Sequence, residues 1–176
     1  MVKKTFVTAA MTAMAFASSS SALAAGAHEG GHHGASIGKP GKERSVDRTV
    51  QIRMMDNYYE PKSLKIEQGE TIRFKVRNAG SLVHEFNIGT PSMHKAHRGE
   101  MMSMVQNGII EGGTLHRDRM GMEGHGMKHD DPNSVLLEPG QSREMIWHFS
   151  KDTNLQFACN VPGHYQSGMH GSINVQ

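Results

Sequence analysis

Near its C-terminus the chain reads Cys159-Asn160-Val161-Pro162-Gly163-His164-Tyr165-Gln166-Ser167-Gly168-Met169, a C-x4-H-x4-M spacing in a predicted turn between two strands. A second histidine, His84, lies on a predicted strand earlier in the chain. Two imidazoles, one thiolate and one thioether form the ligand set of a trigonal copper site with a weak axial methionine. The sulfur ligands suit Cu(I) and the imidazoles also bind Cu(II), so the metal stays bound in both oxidation states. The sequence therefore predicts a mononuclear copper centre held by His84, Cys159, His164 and Met169.

Each of these four residues also has an ordinary explanation when it is taken alone. His84 can be a partly buried histidine, Met169 a core residue, and Cys159 a small buried residue. Their joint spacing favours the copper site. His170 directly follows Met169 and is a second candidate for the axial position.

Short strands are predicted on both sides of this segment. Apolar and polar residues alternate from Val46 to Met54, from Thr71 to Arg77 and from Glu144 to Phe149, which is the pattern of half-buried strands. Shorter strands are predicted at Ser63 to Glu67, Leu82 to Ile88, Ser134 to Leu137, Leu155 to Ala158 and Ser172 to Val175. Short strands separated by Pro-Gly and similar turns predict an all-β fold, a sandwich or a barrel.

The N-terminal region is predicted to contain two segments outside the main domain. Residues 1–24 combine an early Lys pair, a short apolar stretch and an Ala22-Leu23-Ala24 end, the three parts of a secretory signal peptide. The apolar stretch is shorter than the ~20 residues that a membrane span requires. Residues 25–45 are rich in glycine and histidine and are predicted to form a flexible arm. The main domain is then expected over residues 46–176.

An insertion at residues 90–133 interrupts the strand pattern. It contains seven Met and five His, and no convincing strand is predicted within it. Thr90 and Pro91 suit the N-cap and the first position of a helix that continues to about Gln106. The remainder is polar, contains many glycines and is expected to be mobile.

Composition excludes several classes of function. The single Cys excludes a disulfide framework and a zinc site built from several thiolates. Aromatic residues make up 6%, and the net charge of +2 becomes zero when the signal segment is removed, so no nucleic-acid partner is expected. The chain has no Gly-rich phosphate loop, no evident nucleophile-base motif and no His-x-His pair of the kind that multicopper oxidases need. We therefore do not expect an enzyme.

The remaining His and Met residues suggest further copper binding, with ordinary alternatives. On the predicted helix, His94, His97 and Met101 lie on one face; they can form an auxiliary copper site, or the helix can pack its Met residues while its His residues are solvated. The later part of the insertion can capture copper weakly or have no metal function. Candidates there are His116, Met120, Met122, His125, Met127 and His129.

The arm offers three further candidates, His28, His32 and His33. Cleavage after Ala25 exposes Gly26-Ala27-His28, which suits square-planar Cu(II) or Ni(II). Cleavage after Ala24 makes that geometry unavailable. The competing interpretation of the arm is a soluble tail, and the intact mass of the mature protein separates the two cleavage sites.

The main domain resembles the cupredoxins, the small blue copper proteins. The resemblance covers residues 46–89 and 134–176, including Asn78-Ala79-Gly80, His84 and the Cys-to-Met loop. Three segments resemble more closely the periplasmic copper-tolerance cupredoxins of proteobacteria: His84-Glu85-Phe86, His129-Asp130-Asp131-Pro132-Asn133 and Cys159 through His164. Many cupredoxins have Asn after the first histidine ligand, where it braces the loop; this chain has Glu85.

The resemblance implies an eight-stranded Greek-key sandwich with copper at one end. His84, Cys159 and His164 are then equatorial ligands and Met169 the axial ligand, and the edge of His164 passes the electron. It also implies a periplasmic protein that acts in copper tolerance and meets a redox partner or a copper-handling protein. Alternatives are a dedicated electron carrier to a respiratory oxidase or reductase, and a copper chaperone. An integral membrane protein is not expected.

Overall fold

The computed structural model describes residues 37–121, 131–151 and 153–176. Within these ranges the strands are β1 Lys39–Pro40, β2 Arg48–Met54, β3 Tyr59–Glu60, β4 Ser63–Ile66, β5 Thr71–Asn78, β6 His84–Gly89, β7 Ile110–Glu111, β8 Thr114–Leu115, β9 Ser134–Leu137, β10 Ser142–His148, β11 Asn154–Ala158 and β12 His170–Val175. Helix α1 is Pro91–Gln106, and two 3-10 helices lie at Glu43–Ser45 and Arg117–Gly121. None of the helices in the described ranges is long and apolar enough to cross a membrane.

Ten of these strands form two five-stranded sheets. The first has the order β1-β10-β5-β2-β3 and the second β4-β12-β11-β6-β9. Strands β2 and β5 are parallel, as are β4 and β12. The remaining strand pairs are antiparallel. The predicted all-β sandwich with a partly helical insertion is confirmed.

Alternating apolar residues build the core between the sheets. On β5, Ile72, Phe74 and Val76 are fully buried, because side chains at every second position point to the same face. The ring of Phe74 lies 5.3 Å from that of Phe86 on β6, a strand of the other sheet. The apolar core thus holds in place β6, which begins at His84, and β11, which is followed directly by Cys159.

The folded region begins earlier than the predicted boundary at Val46. Ile37 is 2% exposed, and its carbonyl oxygen accepts a 2.9 Å hydrogen bond from the indole N–H of Trp147. Strand β1 pairs with β10 at the edge of the first sheet. The Gly- and Lys-rich composition of this segment predicts a flexible arm, but one apolar side chain and one strand pairing attach residues 37–45 to the sandwich.

The insertion contains the predicted helix and an additional hairpin. Helix α1 begins as expected, with the Thr90 hydroxyl accepting a 3.3 Å hydrogen bond from the N–H of Met93. The expectation of no strand in residues 90–133 is corrected, because β7 and β8 pair around Gly112 and Gly113. Each strand has only two residues, too few for alternation to reveal it. Residues 122–130, including His125 and His129, lie outside the described residues.

Candidate metal centre

Three predicted ligands converge at one end of the sandwich. His84 is the first residue of β6, Cys159 directly follows β11, and His164 lies in the loop before β12. The Nδ1 atoms of the two histidines are 3.2 Å apart, and the Cys159 Sγ lies 3.3 Å from His164 Nδ1 and 3.9 Å from His84 Nδ1. His84 and Cys159 are fully buried, and His164 is partly exposed.

These donors suit a single copper ion. Imidazole nitrogen and thiolate sulfur bind zinc, a divalent ion comparable to copper, at about 2.0–2.3 Å. Donor atoms bound to one ion at such distances are separated from one another by about as much as the 3.2–3.9 Å between the three atoms here. Both histidines direct Nδ1 at the other donors. Two nitrogens and a thiolate also match the trigonal set that copper prefers. The geometry therefore fits the predicted cofactor.

The loop that carries these ligands is closed by its own backbone. The N–H of Met169 donates to the carbonyl of His164, and the N–H of Cys159 donates to the carbonyl of Met169, at 3.0 and 3.1 Å. Two glycines, Gly163 and Gly168, have φ of +88° and +99°, a region that favours glycine because a side chain there is strained. The hydrogen bonds and the two glycines together bring the loop back to β12.

Met169 and His170 have opposite environments. Met169 is fully buried, whereas the side chain of His170 is exposed. The ring of His170 stacks on Tyr165 with centroids 4.8 Å apart. This arrangement favours Met169 over His170 as the axial ligand.

Burial sets the protonation of the candidate ligands. It lowers the pKa of His84, and together with the nearby His84 it lowers the pKa of His164 to about 4. Burial raises the pKa of the Cys159 thiol. At neutral pH both imidazoles are therefore neutral and ready to coordinate, and metal binding releases the thiol proton.

Asp56, in the connection between β2 and β3, contacts the first histidine. Its Oδ1 lies 3.0 Å from His84 Nε2 and 2.7 Å from the backbone nitrogen of Ser81. The Ser81 hydroxyl is the main reason that the pKa of Asp56 lies well below its usual value. A β-carbon at Gly80 would collide with Asp56 and lie 2.8 Å from His84 Nε2, so glycine permits this close approach. A carboxylate on Nε2 fixes the tautomer that leaves Nδ1 free for metal.

Glu85 occupies the position where many cupredoxins have asparagine, and it braces the loop. Its carboxylate is fully buried, and its Oε2 accepts hydrogen bonds from the backbone and side-chain nitrogens of Asn160 at 3.1 and 2.9 Å. The N–H of Glu85 also points to Cys159 Sγ at 3.4 Å. The carboxylate thus holds Asn160, the residue next to the candidate ligand Cys159.

Comparison with known proteins agrees with this geometry. Residues 8–98 match the family model of the cupredoxin-like domain. The chain belongs to the cupredoxin family. Over 154 residues this cupredoxin is 46% identical to the copper-resistant cuproprotein CopI of Pseudomonas aeruginosa, a match that covers 82% of this chain and 84% of that protein. The CopI protein of Rubrivivax gelatinosus is 35% identical over 154 residues, covering 85% and 81% of the two chains.

A solved structure supports the same fold. Dithionite-reduced auracyanin from Roseiflexus castenholzii superposes on this cupredoxin with a TM-score of 0.54 at 20% identity, covering 74% of this chain and 98% of auracyanin. At that identity the likeness shows the fold alone. Together these matches confirm the predicted family, the sandwich and the copper cofactor.

Helix α1 packs its candidate ligands against the cupredoxin sandwich. His94 is fully buried, with Nε2 3.3 Å from the carbonyl of Gln156 and Nδ1 3.3 Å from the side-chain nitrogen of Asn160. Of the two alternatives for the helix, the one with solvated histidines is therefore wrong for His94. His97 contacts two carboxylates, and Met101 is fully buried in the core. Because the ring nitrogens already have partners, the contacts favour packing over a copper site at His94, His97 and Met101.

The described residues contain one more group of candidate ligands. Donor atoms of His97, Glu100 and Asp131 lie within 4.8 Å of one another. Both ring nitrogens of His97 already face carboxylates, so a metal there would have to displace a proton. The arm candidates His28, His32 and His33 lie outside the described residues.

Proposed function

We propose that this cupredoxin holds one copper ion through His84, Cys159, His164 and Met169 and acts in copper tolerance in the periplasm. The observation that carries the proposal is the convergence of two imidazole nitrogens and one thiol sulfur at separations of 3.2–3.9 Å. Bound copper supplies one-electron chemistry between Cu(II) and Cu(I). The function is binding and electron transfer, not enzymatic catalysis.

Two further observations support the tolerance role. The related proteins of Pseudomonas aeruginosa and Rubrivivax gelatinosus are named copper-resistant cuproproteins. Residues 1–24 have the pattern of an export signal, which supports a periplasmic location, where external copper enters. Partners in that compartment are a redox protein or a copper-handling protein.

Visible spectroscopy of the copper-loaded protein tests the metal site. We expect an intense thiolate-to-copper band that Cys159→Ser abolishes, because the serine hydroxyl cannot replace the thiolate. Met169→Ala should shift the band, whereas Met102→Ala should not, since Met102 is 44% exposed on helix α1. A wild-type protein without the band, or a Cys159→Ser spectrum identical to it, rejects the copper site.

Electron transfer has specific support in the exposure of His164. This ring is partly exposed, while the other two equatorial candidates are fully buried, so His164 gives a partner access to the site.

If the protein is chiefly a respiratory electron carrier, deleting its gene leaves copper tolerance normal and reduces electron flux. Loss of tolerance with normal flux supports our proposal. A fast reversible couple without metal loss argues against a copper chaperone.

The His-rich arm is proposed to bind additional copper through His28, His32 and His33. Counting bound copper in the full-length mature protein and in a variant lacking residues 25–36 tests this. We expect a lower copper-to-protein ratio in the truncated variant, with an unchanged visible band. Equal ratios would leave the arm without a role in metal binding.

A further inference from the structure

We infer that His97, on the insertion helix α1, is a positioning residue for the copper loop and acts through the Glu85 carboxylate. The inference rests on the proposed copper site. It gives the insertion a role in shaping the metal centre through a residue that is not one of the four candidate ligands.

The first step is that Glu85 joins the insertion to the loop. Its Oε1 lies 2.9 Å from Nε2 of His97 and accepts a 2.7 Å hydrogen bond from the hydroxyl of Ser134. Its Oε2 accepts both hydrogen bonds from Asn160. One carboxylate oxygen is therefore fixed by residues outside the loop, while the other holds the residue that follows Cys159.

The second step is that Glu85 also meets the thiolate ligand through its backbone. The Glu85 N–H lies 3.4 Å from Cys159 Sγ, and the Glu85 carbonyl accepts a 2.5 Å hydrogen bond from the hydroxyl of Tyr59. A displacement of Glu85 therefore changes the hydrogen bond to sulfur and the position of the loop together. Hydrogen bonds of this kind around a ligand tune a metal site.

The third step is that the buried carboxylate needs a compensating positive charge. Glu85 is fully buried and His97 is 11% exposed. Asn87, Ser134 and Asn160 are neutral donors to the carboxylate, whereas His97 can carry a positive charge. A buried carboxylate paired with a cation and well supplied with hydrogen bonds is held in one position, and removal of the partner leaves an uncompensated charge.

A neighbouring contact shows that the helix meets the loop at a second point. His94, three residues before His97, has its Nδ1 3.3 Å from the side-chain nitrogen of Asn160. The same nitrogen donates to Glu85 Oε2. Helix α1 thus reaches Asn160 directly through His94 and indirectly through His97 and Glu85.

The test compares His97→Leu, His97→Gln, Glu85→Gln and the double variant H97L/E85Q in the full mature chain. The first measurement is hydrogen exchange of the Asn160 backbone amide in the metal-free protein. We expect H97L to raise its exchange rate about tenfold, the equivalent of one weakened hydrogen bond. H97Q should recover part of the protection, because the nitrogen of its side-chain amide takes the place of Nε2 and can still donate to Glu85.

The second measurement is the thiolate-to-copper absorption of the copper-loaded proteins. We expect H97L to shift the band and H97Q to shift it less. Because His97 acts through Glu85, H97L should add little to exchange or absorption in the E85Q background. The double variant also removes both charges of the pair, so it tests the coupling without leaving a buried unpaired carboxylate.

His148→Leu is the matched control, since His148 is also a half-buried histidine with a side-chain partner, its Nδ1 lying 3.0 Å from Thr71 Oγ1, but it lies on β10 of the first sheet. It should change neither readout. If H97L only lowers the melting temperature and leaves Asn160 exchange and the band unchanged, or shifts them equally in the E85Q background, the inference is overturned. A wild-type protein without the copper band rejects the proposed function instead, because the exchange experiment needs no metal.

Discussion

Two carboxylates flank the metal centre in contrasting environments. The side chain of Asp56 is 40% exposed and contacts the ring of a candidate ligand, His84, directly. The carboxylate of Glu85 is completely buried and contacts the polypeptide around the candidate ligand Cys159. One carboxylate therefore acts on an imidazole at the edge of the site, and the other acts on the loop from within the protein.

The difference in burial separates their energetic roles. Water screens an exposed charge and can solvate the groups around it when the charge is removed. A buried charge must be matched by donors, and those donors lose their partner when it is removed. We therefore expect substitutions of Glu85 to affect the fold first, and substitutions of Asp56 to affect the metal with little effect on the fold.

The largest effect is expected for Glu85→Ala. This change leaves the side-chain donors of Asn87, Ser134 and Asn160 without the carboxylate and leaves His97 without one of its anionic partners. We expect the free energy of unfolding of the metal-free protein to fall by about 3–5 kcal/mol. Chemical denaturation followed by circular dichroism measures it.

The control for this change is Glu60→Ala. Glu60 is 47% exposed and pairs with Arg53 at 2.7 Å, and exposed ion pairs contribute at most about 1 kcal/mol. A similar loss of stability in the two variants would show that the burial of Glu85 has no special importance.

The ligand loop could be predicted from sequence because its information is local. Cys159, His164 and Met169 lie within one short segment whose spacing identifies copper, and His84 follows from a strand with the right pattern. The long strands were also predictable, since alternation marks which face of β2, β5 and β10 meets the core. The prediction of these four residues as the ligands awaits the spectroscopic test.

The residues that surround the ligands could not be predicted in the same way. Asp56 precedes His84 by 28 residues and His97 follows Glu85 by 12, so each contact depends on how separate elements pack. Nothing in the sequence near Asp56 distinguishes a partner of His84 from an ordinary turn residue. His94 lies on a polar stretch of helix and becomes buried only because α1 packs on the sandwich.

A smaller effect is expected in the pH dependence of stability. Burial acts against protonation of His97, but its hydrogen bonds to Glu100 and Glu85 outweigh this and raise its pKa from 6.5 to about 10. A pKa raised on folding stabilises the protein fully below the unfolded value, and this contribution is lost as pH rises through the folded value. At pH 6 the free energy of unfolding of the wild-type protein should therefore exceed that of His97→Gln by about 2–3 kcal/mol.

That advantage should decrease steadily between pH 6.5 and pH 10, the two limits set by His97. Denaturation of the two metal-free proteins at matched pH values measures the gap, and titrations common to both chains cancel in the difference. A gap that stays constant or widens with pH would show that the stabilisation by His97 does not come from its positive charge.

The smallest effect is expected for Asp56→Asn, and it should appear in the metal rather than the fold. The amide keeps the size of the side chain but weakens the acceptor for the His84 ring, which lowers the basicity of the ligand and its preference for Cu(II). Changes next to a metal ligand cost at least about tenfold in affinity. A tenfold loss for Cu(II) relative to Cu(I) raises the reduction potential by about 60 mV, which protein voltammetry measures.

Asp47→Asn is the matched control for this last change. Asp47 is also an exposed aspartate that accepts a backbone hydrogen bond, from Thr71 at 2.7 Å, but it has no contact with His84 among its described hydrogen bonds. It should leave the potential unchanged. If both variants shift the potential equally, the effect is one of net charge, and the contact between Asp56 and His84 does not tune the site. If only Asp56→Asn raises it while stability stays within about 1 kcal/mol, the exposed carboxylate acts on the metal and the buried one on the loop.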